Sequence, residues 1–185
     1  YPMAASSRLF LGQGGHFLPD AARSAVLDNV GLVSGAVWTD LDGDGWPDLV
    51  LACEWGPIRV FRNHRGALAR WSTPVVWTDK PKTPSEHLAG AAQPSTQSPR
   101  RSTLDQLTGW WNGVTAGDID GDGRLDLIAS NWGLNTKYQA RPDAPRRLYF
   151  GDLSVSGGVD LIEACFDPSR QQDLPDRDRD AVAAT

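Results

Sequence analysis

The stretch DLDGDGWPDLVLA at residues 40–52 sets four aspartates into nine positions and then turns at once into an unbroken apolar run. DIDGDGRLDLIAS at 118–130 repeats it almost letter for letter, and DLSVSGGVDLIEA at 152–164 is a weaker third copy. Like charges crowded against a core strand repel each other unless something neutralises them. What surrounds each copy therefore decides both the fold and the purpose of the aspartates.

The flanks repeat as well. Two and four residues before each loop stand Trp38 and Ala36, Ala116 and Val114, and Phe150 and Leu148. Period-two apolar spacing predicts a strand with one packed face. After each loop come Leu49-Val50, Leu127-Ile128 and Leu161-Ile162, β-prone runs suited to a strand buried on both faces. Each unit thus reads strand, nine-residue acidic loop, strand, with units at about 35–63, 113–132 and 146–167. Further strands are expected at 8–12, 58–62 and 75–78. Residues 79–103, rich in Pro, Ser, Thr and Gln without apolar period, read as a flexible surface insertion with a weak helix signal at 86–92. Residues 169–185 read as a polar tail or linker.

Repeated small antiparallel sheets predict an all-β chain, a partial β-propeller built from antiparallel blades. The interval from Asp126 to Asp160 is short for a four-stranded blade, so the third copy is either a later hairpin of the second blade or a degenerate blade. A closed propeller needs more blades than these units supply, and the expectation is a piece of something longer, with the remaining blades as its partners.

Carboxylates at positions 1, 3, 5 and 9 of a tight loop can converge on one point. They are Asp40, Asp42, Asp44 and Asp48 in the first copy, and Asp118, Asp120, Asp122 and Asp126 in the second. The carbonyls at position 7, Trp46 and Arg124, would add a further oxygen. Position 6 is glycine in all three copies (Gly45, Gly123, Gly157), where a sharp turn needs an unhindered backbone. Such a hard, all-oxygen set suits Ca²⁺, which takes roughly 6–8 oxygens in a flexible geometry, better than octahedral Mg²⁺. In the third copy Asp152, Ser154, Ser156 and Asp160 offer half the charge. One acidic turn alone would be unremarkable; two in matching strand contexts favour an ion. A helix–loop–helix calcium site fails in the strong copies, because position 12 is Leu51 and Ala129, with the required glutamate only in the weakest copy (Glu163), and the flanks are β-type.

The DxDxDGxxD loop inside a strand–loop–strand unit resembles the FG-GAP/VCBS repeats, as in the integrin α-chain propeller and many bacterial secreted proteins. RLFLGQGGHF at 8–17, GWWNGVTAGDIDGDGRLDLI at 109–128 and NWGLNTKY at 131–138 are similar to the bacterial propellers often joined to an ASPIC/UnbV region. The resemblance covers nearly all of the chain except the insertion and the last residues. It implies structural calcium loops and a partner bound on some other propeller surface. The serines of the third copy depart from the pattern.

The rest of the sequence narrows the function. With 23 acidic and 18 basic residues and a formal charge of -5, no basic stripe offers a nucleic-acid surface, and no apolar run approaches the roughly 20 residues of a membrane span. His16, His64 and His87 are isolated, and no hydrolase, zinc or phosphate-cradling motif is present. Trp110 and Trp111 invite carbohydrate stacking, but filling blade interfaces is the plainer role; Trp55 and Trp132, each before a glycine, read as repeat structure. Cys53 and Cys165 hold equivalent repeat positions, which argues against a mutual disulfide and for buried thiols. The expected function is a non-catalytic calcium-binding module of a secreted, surface or periplasmic protein, engaging a protein or carbohydrate. The alternative is a propeller enzyme, such as a polysaccharide lyase or hydrolase, with Glu54 and Glu163 as available acid–base groups.

Overall fold

A computed structural model describes residues 4–77, 100–133, 138 and 144–176. The acidic-loop units are all hairpins, and the fold is all-β and antiparallel. β1 (Phe10–Gln13) and β2 (His16–Pro19) pair first, followed by a one-turn helix, α1 (Ala21–Ser24), capped by the Asp20 side chain. β3 (Leu32–Thr39), β4 (Asp48–Glu54), β5 (Arg59–His64) and β6 (Ala67–Trp71) form a four-stranded meander in chain order. β7 (Pro74–Trp77) pairs with β8 (Arg100–Thr103), and β9 (Trp111–Gly117) with β10 (Asp126–Asn131). β11 (Arg146–Gly151), β12 (Asp160–Asp167) and β13 (Gln172–Pro175) make a three-stranded sheet.

The third acidic copy therefore lies in a sheet of its own, not in a later hairpin of the second unit. Two boundaries also move. Residues 100–103 were expected inside the insertion but form β8, and 172–175 were expected in the tail but form β13 on the edge of β12. Ladder hydrogen bonds to a neighbouring strand order these polar segments where their composition gives no sign of it. Residues 79–99, with the helix signal at 86–92, lie outside the described residues, as do 177–185. No helix of the described residues is long and apolar enough to cross a membrane.

β4 is buried on both faces, as its unbroken apolar run requires. Leu49, Leu51 and Cys53 project to one side and join Phe61 under a cover supplied by Leu27 and Val30, with Val26 and Leu68 alongside. Val50 projects to the other side with Ile58 and Val60. That second face is closed by the next acidic-loop unit, through Trp111, Val114, Leu127 and Ala129. The stacking is head to tail: the face of the first unit that carries Val50 meets the opposite face of the second.

The lead-in strand corrects one expectation. Trp38 is 46 % exposed and Ala36 is exposed too, while Val37, between them, faces the packed interface. The cover from Leu27 and Val30 reaches β4 and β5 but not β3, so Trp38 and Ala36 share a face with Leu49 and Leu51 without sharing their burial. In the second unit the equivalent Val114 is packed, because the first unit lies against it.

Close approach of the two lead-in strands depends on glycine. A Cβ at Gly35 would meet the Gly113 Cα at 2.9 Å, and these two residues hold the same place, five before the first aspartate. The Ser34 hydroxyl donates to the Trp111 carbonyl at 2.5 Å nearby. Ser34 lies by Trp111 and Gly35 by Gly113, so the two strands run in the same direction. Both acidic loops consequently sit at one end of the packed pair.

Candidate metal centre

Each strong loop is wound around its first aspartate. Asp40 Oδ1 accepts from the amides of Gly43 and Asp44 at 2.8 and 3.2 Å, and Oδ2 accepts from Gly45 N at 2.9 Å. Asp118 repeats this with Gly121, Asp122 and Gly123 at 2.8, 3.1 and 3.0 Å. The winding needs left-handed backbone at positions 4 and 6. Glycine supplies it at Gly43 (φ 78°), Gly45 (φ 86°), Gly121 (φ 78°) and Gly123 (φ 84°). The ninth aspartate closes the turn: Asp48 Oδ2 accepts from Leu41 N at 3.1 Å, and Asp126 Oδ2 from Ile119 N at 2.9 Å.

The result is convergence of negative oxygens. One carboxylate oxygen from each of Asp40, Asp42 and Asp48 lies within 4.8 Å of the others, and the same holds for Asp118, Asp120 and Asp126. Ionised carboxylates are acceptors only, so neither trio can satisfy itself by hydrogen bonding among its members. The fifth-position aspartates, expected in the cages, stay outside these trios. Asp44 Oδ1 instead takes the Trp46 amide at 2.8 Å, and its other oxygen lies 3.9 Å from His64 Nδ1. Asp122 takes the Arg124 amide at 2.8 Å, with Arg124 Nε at 3.8 Å.

The first site is the more enclosed, because β5 backs it. Asp48 is fully buried, and its Oδ1 accepts from Asn63 N at 2.8 Å while Asn63 Nδ2 donates to the Pro47 carbonyl at 2.8 Å. Arg62 Nε forms an ion pair with Asp42 Oδ2. Three buried side-chain oxygens among the described residues lack a hydrogen bond, and two of them are Thr39 Oγ1 and Asp42 Oδ2. Arg62 touches Asp42 Oδ2 as a charge without hydrogen-bonding geometry. Thr39 lies directly opposite Asp48 in the ladder, on the same face of the sheet. An unpartnered Thr39 hydroxyl on that face, and an Asp42 oxygen that receives a charge but no hydrogen bond, fit an oxygen-seeking cation.

The third loop keeps the scaffold with fewer charges. Asp152 accepts from Ser156 N at 2.8 Å and Gly157 N at 3.0 Å, and Asp160 Oδ2 accepts from Ser154 N at 2.7 Å. The Ser154 hydroxyl donates to Ser156 Oγ at 3.0 Å. Hydrogen bonds from Ser154 hold the Asp160 carboxyl below its ordinary range. At position 4 the glycine of the strong loops is replaced by Val155, which adopts φ 58° all the same.

Sequence reasoning missed the β5 residues Arg62, Asn63 and His64. Their signal was the polar RNH that follows the apolar pair Val60-Phe61. His64 is exposed, as expected of an isolated histidine, yet it faces an acidic loop. At the opposite end from the loops, Trp55, Trp110, Trp132 and Tyr138 gather. Trp110 and Trp132 stack with centroids 5.2 Å apart, and Trp55 lies 5.6 Å from Trp110. Trp111 turns the other way, filling the interface and donating its indole N–H to the Leu107 carbonyl at 2.9 Å. The Tyr138 hydroxyl donates to Glu163 at 2.5 Å. Both cysteines are free; Cys53 is buried and its thiol pushed up by desolvation, whereas Cys165 is only half-buried.

A scan against protein-family models, a search of curated proteins and a search of solved structures found no match to this chain.

Proposed function

We propose that the chain is a calcium-stabilised β-propeller module of FG-GAP/VCBS type, working in a secreted, cell-surface or periplasmic protein to engage a protein or carbohydrate. The observation that carries the cation is the pair of aspartate trios, reinforced at the first loop by the unpartnered hydroxyl of Thr39. Asp40, Asp42 and Asp48 hold one ion, and Asp118, Asp120 and Asp126 another. Asp44, Asp122 and the position-7 carbonyls of Trp46 and Arg124 complete the cages once the fifth side chains turn inward. Asp152, Ser154, Ser156 and Asp160, with half the charge, hold an ion more weakly.

Head-to-tail stacking of the first two units supports the propeller, since each further unit would extend the same pattern. An extracytoplasmic setting supplies calcium at millimolar levels, which suits loops of modest affinity. An ion that binds only the folded state stabilises it by RT ln(1 + [L]/Kd), or about 1.8 kcal/mol per loop for Kd near ~10⁻⁴ M and ~2 mM calcium. Two loops then contribute roughly 3–4 kcal/mol, a large share of a domain's ~5–15 kcal/mol.

Thermal melting in calcium, in magnesium and in chelator tests the reading, together with calorimetric titration. The expected result is two ions bound per chain at sub-millimolar calcium, a clear fall in Tm on chelation and poor rescue by magnesium. Three coincident melting curves would reduce the loops to surface turns and remove the basis of the function.

A further inference from the structure

The two strong loops are nearly identical in sequence and backbone, yet their third-position aspartates differ in environment. Asp42 Oδ1 accepts from Asp44 N at 3.1 Å, and Asp120 Oδ1 accepts from Asp122 N at the same 3.1 Å. The second oxygen of Asp120 has no partner among the described residues. The second oxygen of Asp42 carries the Arg62 guanidinium. That guanidinium comes from β5, the third strand of the first unit's sheet. The second unit has only the β9–β10 pair among the described residues, so nothing equivalent reaches Asp120.

We infer that Arg62 is a built-in competitor for the cation at the first loop, giving way when the ion arrives. This deepens the calcium reading and rests on it. The oxygen that Arg62 occupies is the one the backbone leaves free, and it accepts no hydrogen bond even now. A guanidinium has no lone pair to offer a metal, and its charge repels one at this range. The Asp42 side chain is only 11 % exposed, which shields the contact from solvent screening. Arg62 itself is half exposed and lies over the Trp71 ring, 5.4 Å from its centroid. It can therefore leave Asp42 while keeping its packing place. The outcome is a first loop whose calcium affinity is set by a neighbouring strand as well as by its own aspartates.

The test is titration of the protein with calcium chloride, in a background where Asp120→Asn and Asp126→Asn silence the second loop. Arg62→Met keeps the stem on Trp71 and removes the charge. First-loop affinity should rise on the order of fivefold at low ionic strength, with the gain shrinking as salt is added. In the chain with both loops intact, the Arg62 Nε–H resonance should shift when calcium is added. Arg124→Met, in a background where Asp42→Asn silences the first loop, is the control. Arg124 is 86 % exposed and 3.8 Å from a carboxylate outside the trio, so less than a twofold gain is expected. Unchanged or weaker binding in Arg62→Met, with calcium still held at the second loop of the intact chain, overturns the role of Arg62 alone. An equal gain in Arg124→Met also overturns it, by reducing the effect to net charge. No binding heat at either loop overturns this inference and the calcium reading together.

Discussion

Asp48→Ala should be far more damaging than Asp126→Ala, although the two residues share a motif position. Asp48 is fully buried and accepts from two backbone amides, Leu41 N at 3.1 Å and Asn63 N at 2.8 Å. Asn63 lies on β5, so this carboxylate ties loop, entering strand and third strand together. Removing it orphans two amides where little water reaches them, at about 1–3 kcal/mol each, for a loss near ~4 kcal/mol. Asp126 is only partly buried and accepts one amide, Ile119 N at 2.9 Å, which solvent can take over. Its removal should cost about 1 kcal/mol. In a chain of this size the gap corresponds to roughly 6–12 °C in Tm. Urea unfolding of both variants should be run in chelator, so that lost metal binding contributes nothing. If the two variants then fall within 1 kcal/mol of each other, the burial argument is wrong. If Asp48→Ala is harmful only with calcium present, the residue acts as a ligand and not as a structural acceptor.

Val155→Gly should stabilise the third hairpin by up to ~1 kcal/mol. A left-handed β-branched residue costs about 1–2 kcal/mol, glycine gives back part of that as chain entropy, and Val155 is 87 % exposed with no packing to lose; a lower urea midpoint would contradict this. Gly35→Ala should separate the first two units at a cost of about 1–3 kcal/mol, because its Cβ would meet backbone at 2.9 Å. Gly117→Ala, whose Cβ would meet nothing within 4 Å, is the matched control, and equal effects would deny the close approach. Acid should loosen the β11–β13 sheet. The Tyr149 hydroxyl and then the Arg147 guanidinium hold the Asp173 carboxyl below its ordinary range. Its contribution is thus complete above roughly pH 4 and lost as pH falls through the lowered value. Hydrogen exchange at the paired Cys165 and Leu174 amides reads this out; an exchange rate independent of pH in that window, after correction for intrinsic chemistry, would refute it.

Much of the architecture was legible because each unit carries two signals that agree. The acidic loop marks a tight turn, and the apolar run behind it marks a strand with no solvent face. In the second unit Ile128, at the place of Val50, is 54 % exposed on the face turned away from the first unit, but Leu49 to Cys53 meet that expectation fully. Their lead-in strands do not, because a period-two pattern says that one face is packed without saying which face finds a partner. Trp38 and Val114 both sit on that pattern, and only the second has a neighbouring unit against it. The edge strands β8 and β13 were invisible for a related reason. RRST and QDLP have no apolar period, and their order comes from hydrogen bonds that composition does not encode. At the site, the trios were readable from spacing alone. The outward turn of Asp44 and Asp122 was not, since without an intervening cation a fourth like charge gains more from a backbone amide than from joining three carboxylates.

The same loop therefore makes two different sites. Sequence fixes the winding, through aspartate at position 1 and glycine at positions 4 and 6, and the winding brings three carboxylates together wherever it occurs. What those carboxylates then experience depends on the strand beyond the hairpin. In the first unit β5 buries Asp48, supplies Asn63 as its donor and sets Arg62 against Asp42. In the second unit no described strand follows β10 in the sheet, and its three aspartates remain more exposed. Burial strengthens every charge interaction at the first loop, attraction to a cation and attraction to Arg62 alike. Two opposed effects thus act on one carboxylate there, and neither acts with the same force at the second. Equal motifs need not mean equal affinities, because the ligands belong to the hairpin while their electrostatics belong to the sheet.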